Sequence, residues 1–201
     1  MLDFENYYLA NGYKFIAGID EAGRGPLAGP VCVASVIMPL GDSDIIDGVN
    51  DSKKLTEKKR ERLYHEIISK AIAYHIELVD VSTIDAINIL NATKLGMLTC
   101  INSLKVKPDI VLIDAVPITS EIETKSIIKG DALSYSIACA SILAKVYRDK
   151  LMIELDKKYP EYGFAKHKGY GTKAHIEALK KYGKCPEHRE TFIKNFVGKY
   201  E

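Results

Sequence analysis

Short apolar runs alternate along this chain with longer stretches of helical periodicity, and that order leaves few folds open. Phe15–Asp20 (FIAGID) is a strand candidate that stops at a glycine-rich segment, residues 23–29. Val31–Met38 (VCVASVIM) is rich in β-branched residues and ends at Pro39, as a second strand would. Thr56 opens a capping-like start, and Glu57–Ala71 places Leu63, Ile67, Ile68 and Ala71 at helical spacing. Tyr74–Val79 alternates as a strand does. Ser82–Leu104 is expected to be a helix with Ile84, Ile87, Leu90, Leu95, Leu98 and Ile101 as its apolar stripe. Asp109–Asp114 (DIVLID) is a short buried strand, Ile127–Lys129 a last one, and Leu133–Lys157 a long helix ending before Pro160. Helices near 173–182 and 187–196 complete the chain. An antiparallel pair, followed by strands alternating with helices, implies an α/β domain with a mixed central β-sheet and helices on its faces.

Two of these strand candidates end in acids. Asp20 and Glu21 close the first, Asp114 closes DIVLID, and Asp131 stands just before the long helix. An apolar strand that runs into a carboxylate places charge near the core boundary, where desolvation is costly unless a cation or donors compensate. Active sites of parallel α/β arrangements lie at strand C-terminal ends, which is where these acids fall. Like charges at close range need a metal or an extra proton. An all-oxygen set suits Mg²⁺ or Mn²⁺ better than zinc. Each acid has a plainer alternative: Asp131 as a helix cap, Asp114 in a turn, Asp20 and Glu21 as turn acids before Gly23. Neighbouring strand residues also point to opposite faces. Asp20 and Glu21 would therefore share a site only if the chain bends there, and Gly23 and Gly25 make a bend plausible.

Two further segments accompany the acids. Ala22–Pro30 (AGRGPLAGP) sets Arg24 between two glycines, which let a backbone approach a ligand while the arginine adds donors. It is not a P-loop, since no G-K-[ST] follows. His167–Thr172 (HKGYGT) sets Tyr170 between two glycines and among bases. An aromatic ring in a basic loop can stack on a sugar or base, with an incidental surface turn as the alternative. The flanking glycines would let a ligand shape the Tyr170 backbone. From residue 145 onward there are 14 Lys/Arg against 8 Asp/Glu, while the preceding part holds 14 against 19. A basic C-terminal quarter on an acidic body fits a polyanionic partner or a solvated basic face.

Length and composition set the remaining bounds. A chain of 201 residues suits one domain with a sizeable core and at most a small appendage. Cys32, Cys100, Cys139 and Cys185 lie far apart in sequence, so no zinc-knuckle spacing exists and buried free thiols are expected. No apolar run approaches the ~18 residues that span a bilayer. The opening MLDFENYYLANGYK lacks a basic segment leading into an apolar one, so a cytoplasmic protein without a signal peptide is expected.

Taken together, the segments resemble the ribonuclease HII family, the type 2 ribonucleases H. The resemblance rests on Asp20–Val31 (DEAGRGPLAGPV), Asp51–Leu55 (DSKKL), Asp114 in VLIDA, Lys129–Asp149 (KGDALSYSIACASILAKVYRD) and His167–Thr172 (HKGYGT). Gly183–Phe192 (GKCPEHRETF) is similar to the family's C-terminal helical segment. Cys139 and Tyr147 stand where alanine and threonine are usual. The related ribonuclease HIII carries an additional N-terminal substrate-binding domain. Here the first strand begins within about fifteen residues of Met1, which favours type HII.

The resemblance implies a ribonuclease H-like catalytic domain over 1–158, with a C-terminal helical substrate-binding segment, 159–201, packed on it. It implies an endonuclease that hydrolyses the RNA strand of RNA–DNA hybrids and incises 5′ of ribonucleotides embedded in duplex DNA. Two divalent ions, Mn²⁺ or Mg²⁺, would serve a reaction giving 3′-OH and 5′-phosphate ends. Asp20, Glu21, Asp114 and Asp131 match the metal-binding catalytic carboxylates. Gly23, Arg24 and Gly25 match the segment that reads the ribose 2′-OH, and Tyr170 the residue that stacks on the following deoxyribose. Lys53, Ser141 and Lys145 match positions near the substrate backbone. Asp149 is expected to partner Lys145. No membrane contact and a monomer are expected. The alternatives are another ribonuclease H-fold phosphotransferase acting on DNA alone, and a non-catalytic nucleic-acid-binding module.

Overall fold

The central strands are apolar on both faces, as strands covered by helices on either side must be. A computed structural model of the chain describes residues 1–196. In it β1 (Ile16–Ala22) and β2 (Val31–Ile37) are buried along nearly their whole length. β3 (Ala73–Val79), β4 (Ile110–Asp114) and β5 (Glu123–Ile127) complete a sheet of order β3-β2-β1-β4-β5. β1 runs antiparallel to β2 and β2 to β3, whereas β4 lies parallel to β1 and to β5. The expected mixed sheet is therefore present.

The helices are α1 (Asp3–Ala10), α2 (Glu57–Lys70), α3 (Val81–Asn102), α4 (Gly130–Leu133), α5 (Tyr135–Lys158), α6 (Phe164–His167), α7 (Lys173–Tyr182) and α8 (Glu190–Ile193). On one face α2 and α5 pack on Cys32, Ala34 and Val36. On the other, Met97, Cys100 and Ile101 of α3 meet Ala17, Ile19, Val33 and Ile37. α5 approaches β1 so closely that a Cβ on Gly18 would lie 2.1 Å from the Ser136 carbonyl carbon. All four cysteines are buried and free. No helix among the described residues is long and apolar enough to cross a membrane.

Several expectations need correction. The apolar stripe assigned to the helix over 82–104 is only partly its buried face: Ile84 and Ile101 are buried, but Ile87, Leu90 and Leu95 are exposed. Asn88 (φ 67°, ψ 162°) interrupts α3, and its side chain accepts hydrogen bonds from the Leu90 and Asn91 amides. That break resets the helical phase. Small residues then face the sheet, where a Cβ on Gly96 would lie 2.9 Å from Val33 and Val79. The last strand is Glu123–Ile127, not 127–129; its sequence ETKSI is mostly polar because it is an edge. The long helix starts at Tyr135 with Ser134 as its cap, so Asp131 belongs to the separate single turn α4. Within 187–196 only Glu190–Ile193 is helical. α1 and α6 were not expected. Of the 159–201 segment, residues 197–201 lie outside the described residues.

Candidate active site

β1 and β4 run side by side and in the same direction, so their C-terminal ends emerge together. That pairing brings Asp20 beside Asp114. Asp131 arrives from α4, whose Gly130 amide donates to Asp114 Oδ1 at 2.7 Å. A Cβ on Gly130 would meet Asp114 Oδ1 at 3.3 Å and Ile137 at 2.6 Å, so the close approach requires glycine. Carboxylate oxygens of Asp20, Asp114 and Asp131 lie within 4.8 Å of one another. Glu21 is outside that set. β1 stays paired with β2 through Ala22, so no bend falls between Asp20 and Glu21 and the strand remains extended through both acids. Glu21 instead lies beside the cluster, mostly buried, with Oε1 3.3 Å from Arg24 Nη1.

The electrostatics follow from crowding and burial. Burial raises the Asp20 pKa well above its usual value; the Glu21 charge adds to this, and the Ser141 hydroxyl and the Glu21 amide oppose it. Burial likewise raises Asp114, against the Gly130 amide bond and with the Asp131 charge. Glu21 is also raised by burial, against Arg24. Lys53 Nζ reaches Asp131 Oδ2 at 3.1 Å. Burial would lower the Lys53 pKa, but the hydrogen bond and charge of Asp131 outweigh it and hold the lysine above its usual value. Glu21 Oε2 is buried with no hydrogen-bond partner among the described residues. Three crowded carboxylates with too little positive charge, and the orphaned Glu21 oxygen beside them, fit a hard divalent cation.

A cavity of about 360 Å³ opens beside the acids. Asp20, Glu21, Gly23, Arg24, Gly25, Lys53, Ser141, Lys145 and Tyr170 all line it, so candidate residues far apart in sequence share one groove. Asp114 and Asp131 join them through the acid cluster. Asp51 caps the turn at Ser52–Lys54 by accepting from the Lys53 amide. Ser52 and Ser141 hydroxyls lie 2.9 Å apart. Lys145 pairs with Asp149 at 2.8 Å, and Asp149 stays outside the acid cluster. Tyr170 is 46% exposed, and a Cβ on Gly25 would sit 3.7 Å from its ring. Its backbone is not free to be shaped by a ligand. The Tyr170 amide donates to His167 O, and Gly169 is glycine because a Cβ would lie 2.4 Å from Ala28 O.

Two buried arginines hold this groove and escape a reading of the sequence. Arg148 donates to the carbonyls of Pro30, Ala28 and Lys168 at 2.9–3.1 Å. Arg189 donates to those of Gly23, Arg24 and Gly29 at 2.6–2.9 Å. Among the described residues neither forms a salt bridge, so backbone carbonyls take the guanidinium donors, and the Phe192 ring lies 5.1 Å from Arg189 Cζ. Gly23 (φ +95°) must be glycine twice over, since a Cβ would strike Arg148 Nε at 2.0 Å. One signal was available: Ser141, Lys145 and Arg148 fall at i, i+4 and i+7 on one helix face.

Glu5 also escapes detection. It is fully buried on α1, and its Oε1 accepts from Ser134 Oγ at 2.6 Å and the Ser136 amide at 2.9 Å. It thus caps the N-terminus of α5 from another helix, where a carboxylate also opposes the helix dipole. Ser134 in turn bonds Gly130 O, so α1 helps seat the turn that carries Asp131.

Known proteins resemble this chain in sequence and fold. The family model for Ribonuclease HII matches residues 17–196. The Ribonuclease HII of Caldicellulosiruptor bescii is 57% identical over 200 residues, covering 96% of each chain. That of Ruminiclostridium cellulolyticum is 56% identical over 199 residues, covering 98% of this chain and 77% of the relative. Among solved structures, the ribonuclease H2 of Pyrococcus horikoshii OT3 matches with a TM-score of 0.76 at 30% identity. The match covers 89% of this chain and 93% of that one.

Proposed function

Because the chain belongs to the ribonuclease HII family, and so is an endoribonuclease acting on RNA–DNA hybrids, we propose that its groove also recognises a single ribonucleotide embedded in duplex DNA and directs incision to its 5′ side. The observation that carries this reading is the meeting of Tyr170 with the Gly23–Arg24–Gly25 segment at the edge of the acid cluster. Two elements distant in sequence thereby face one short stretch of a bound strand.

In this reading Gly23, Arg24 and Gly25 contact the ribose 2′-OH, and the exposed ring of Tyr170 stacks on the sugar that follows. Lys53, Ser141 and Lys145 lie along the strand's backbone, where the lysines meet phosphates. Asp20, Glu21, Asp114 and Asp131 hold two divalent ions, Mg²⁺ or Mn²⁺. Such ions would supply positive charge to the scissile phosphate, for a reaction giving 3′-OH and 5′-phosphate ends. Residues 1–158 act as the catalytic domain and 159–201 as the substrate-binding segment that brings Tyr170. The protein works as a cytoplasmic monomer in the removal of ribonucleotides from DNA.

The test is cleavage of a DNA duplex holding one ribonucleotide, with Mg²⁺ or Mn²⁺, beside an all-DNA duplex of the same sequence. Incision 5′ of the ribonucleotide and an intact control are expected. Stacking of an aromatic on nucleic acid is worth ~1–3 kcal/mol, and 1.4 kcal/mol is about tenfold. Tyr170→Ala should therefore lose roughly tenfold or more on this substrate, less on a long hybrid, with little change in melting temperature. Tyr170→Phe keeps the ring and most of the activity. Comparable cutting of the all-DNA duplex would overturn the reading in favour of a DNA-only phosphotransferase.

A further inference from the structure

Beneath Tyr170 lies a sealed cluster of imidazoles that the reaction itself does not use. His175 and His188 are 0% and 2% exposed. His167 stacks on His175 with ring centroids 4.5 Å apart, and Tyr162 and Phe164 pack against His188. Geometry determines where each proton sits. His188 Nδ1 faces the Cys185 amide at 3.0 Å, a group that can only donate, so Nδ1 accepts. A neutral His188 then carries its proton on Nε2. That nitrogen lies 3.0 Å from His175 Nε2, which must accept. His175 therefore carries its proton on Nδ1, and donates it to the Tyr170 carbonyl at 2.9 Å. One assignment satisfies all three bonds, and it requires both rings to be neutral. A proton added to His175 Nε2 would set two donors against each other.

Neighbouring groups agree with that state. Burial lowers both imidazole pKa values, that of His188 to about 4. Burial raises the Cys185 thiol to about 11, so its Sγ, 3.2 Å from His188 Nδ1, is a thiol rather than a competing anion. His167 secures the preceding residue, accepting from the Gly169 amide at 3.3 Å. The Thr172 amide also bonds the Tyr170 carbonyl.

We propose that His188 and His175 form a neutral imidazole relay from the C-terminal tail to the Tyr170 carbonyl, and that they are positioning residues for recognition of the embedded ribonucleotide. The relay holds the Tyr170 backbone while its ring stands free at the groove. A ring presented from a fixed backbone loses less freedom on binding than one on a mobile loop. The inference rests on the reading that Tyr170 contacts the substrate.

The test uses two amides that mimic different ring nitrogens. His175→Asn places an N–H near the Nδ1 position and can still reach the Tyr170 carbonyl; His175→Gln places it near Nε2 and cannot. Both variants remove the ring and should lower the melting temperature alike. On the single-ribonucleotide duplex, His175→Gln should raise KM roughly tenfold with kcat nearly unchanged, while the long hybrid is cut almost normally. His175→Asn should keep most of the wild-type ratio between the two substrates. Equal losses for Asn and Gln on both substrates would reduce the cluster to packing and overturn the proposal. Long-range ¹H–¹⁵N spectra of the wild-type protein at neutral pH provide a second arm that needs no variant. They should show His175 protonated on Nδ1 and His188 on Nε2, and any other tautomer or a charged ring refutes the relay. If Tyr170→Ala leaves the substrate ratio unmoved, the stacking reading fails and the specificity role falls with it; the tautomers still decide whether the relay exists.

Discussion

Asp114→Asn is expected to leave the protein folded and to reduce metal-dependent cleavage by two orders of magnitude or more. The substitution is nearly isosteric, and the new Oδ1 can still accept the Gly130 amide bond now made at 2.7 Å. What is lost is one anionic oxygen of the cluster it forms with Asp20 and Asp131. Even partners that merely orient metal ligands are worth about 10–100-fold in affinity or activity, so a ligand should be worth more. Stability should move the other way. The raised pKa values of Asp20, Glu21 and Asp114 mean that the folded, metal-free protein binds protons more readily than the unfolded chain. Their contribution is present below the ordinary carboxylate range and is lost as pH rises through the raised values. At neutral pH the cluster is therefore under strain, and removing one charge relieves it. Without metal the variant should melt at or above the wild-type temperature at pH 7, with a flatter dependence on pH below that. Added Mn²⁺ should raise the melting temperature of the wild type more than that of the variant, because binding to the folded state alone stabilises it. Cleavage by Asp114→Asn at near wild-type rate in Mg²⁺ would remove the acid cluster from the chemistry.

The second large effect is on folding. Gly18→Ala should destabilise the protein by about 3 kcal/mol or more, because the new methyl has no room and the obstruction is backbone. Its Cβ would lie 2.1 Å from Ser136 C, 2.2 Å from Ser136 O and 2.4 Å from Ile137 N. Those atoms belong to the first turn of α5, so relief requires the helix to move off β1. Gly18 and Asp20 lie on the same face of the strand, and the Ser141 hydroxyl that acts on Asp20 sits on that helix. Displacement would thus disturb the site along with the core. At ~2–4 °C per kcal/mol for a chain of this size, the melting temperature should fall by roughly 10 °C. Gly25→Ala is the control: its Cβ meets only the Tyr170 ring at 3.7 Å, an ordinary contact, and its φ needs no glycine. It should melt close to the wild type. A Gly18→Ala protein melting within a few degrees of the wild type would mean that α5 is not clamped on β1.

The carboxylates were legible because a strand that ends in an acid breaks an apolar pattern, and such a break has few cheap explanations. The same logic failed for the helix over 82–104. Its regular leucine and isoleucine stripe looked like a core face, but Asn88 breaks the phase; Ile84 and Ile101 at its ends stay buried, while Ala92, Gly96 and Met97 take the place of Ile87, Leu90 and Leu95. Periodicity cannot show a phase break whose cause is a single residue's dihedral angles. β5 was misplaced for a related reason: an edge strand need not be apolar, so ETKSI carries no hydrophobic signal. Arg189, Glu5 and His188 were invisible in another way. Each is polar, and a polar side chain reads as surface until its partners are known. Their partners are backbone carbonyls, a helix terminus and another histidine 13 to more than 100 residues away.

The sequence by itself determined the mixed α/β architecture, the acids that could hold metal, and the glycine-flanked Arg24 and Tyr170 as candidate contacts. These are local properties, carried by residue type and spacing along a few turns or strands. The tertiary structure alone decided which of them meet. The parallel pairing of β1 with β4 puts Asp20 beside Asp114, and α4 delivers Asp131 to both. It also decided that Glu21 stands beside the cluster with Arg24, and that Tyr170 projects from an anchored backbone instead of a pliable one. These outcomes depend on strand register, helix approach and the hydrogen-bonding needs of buried groups. Such quantities exist only once distant segments share a common interior.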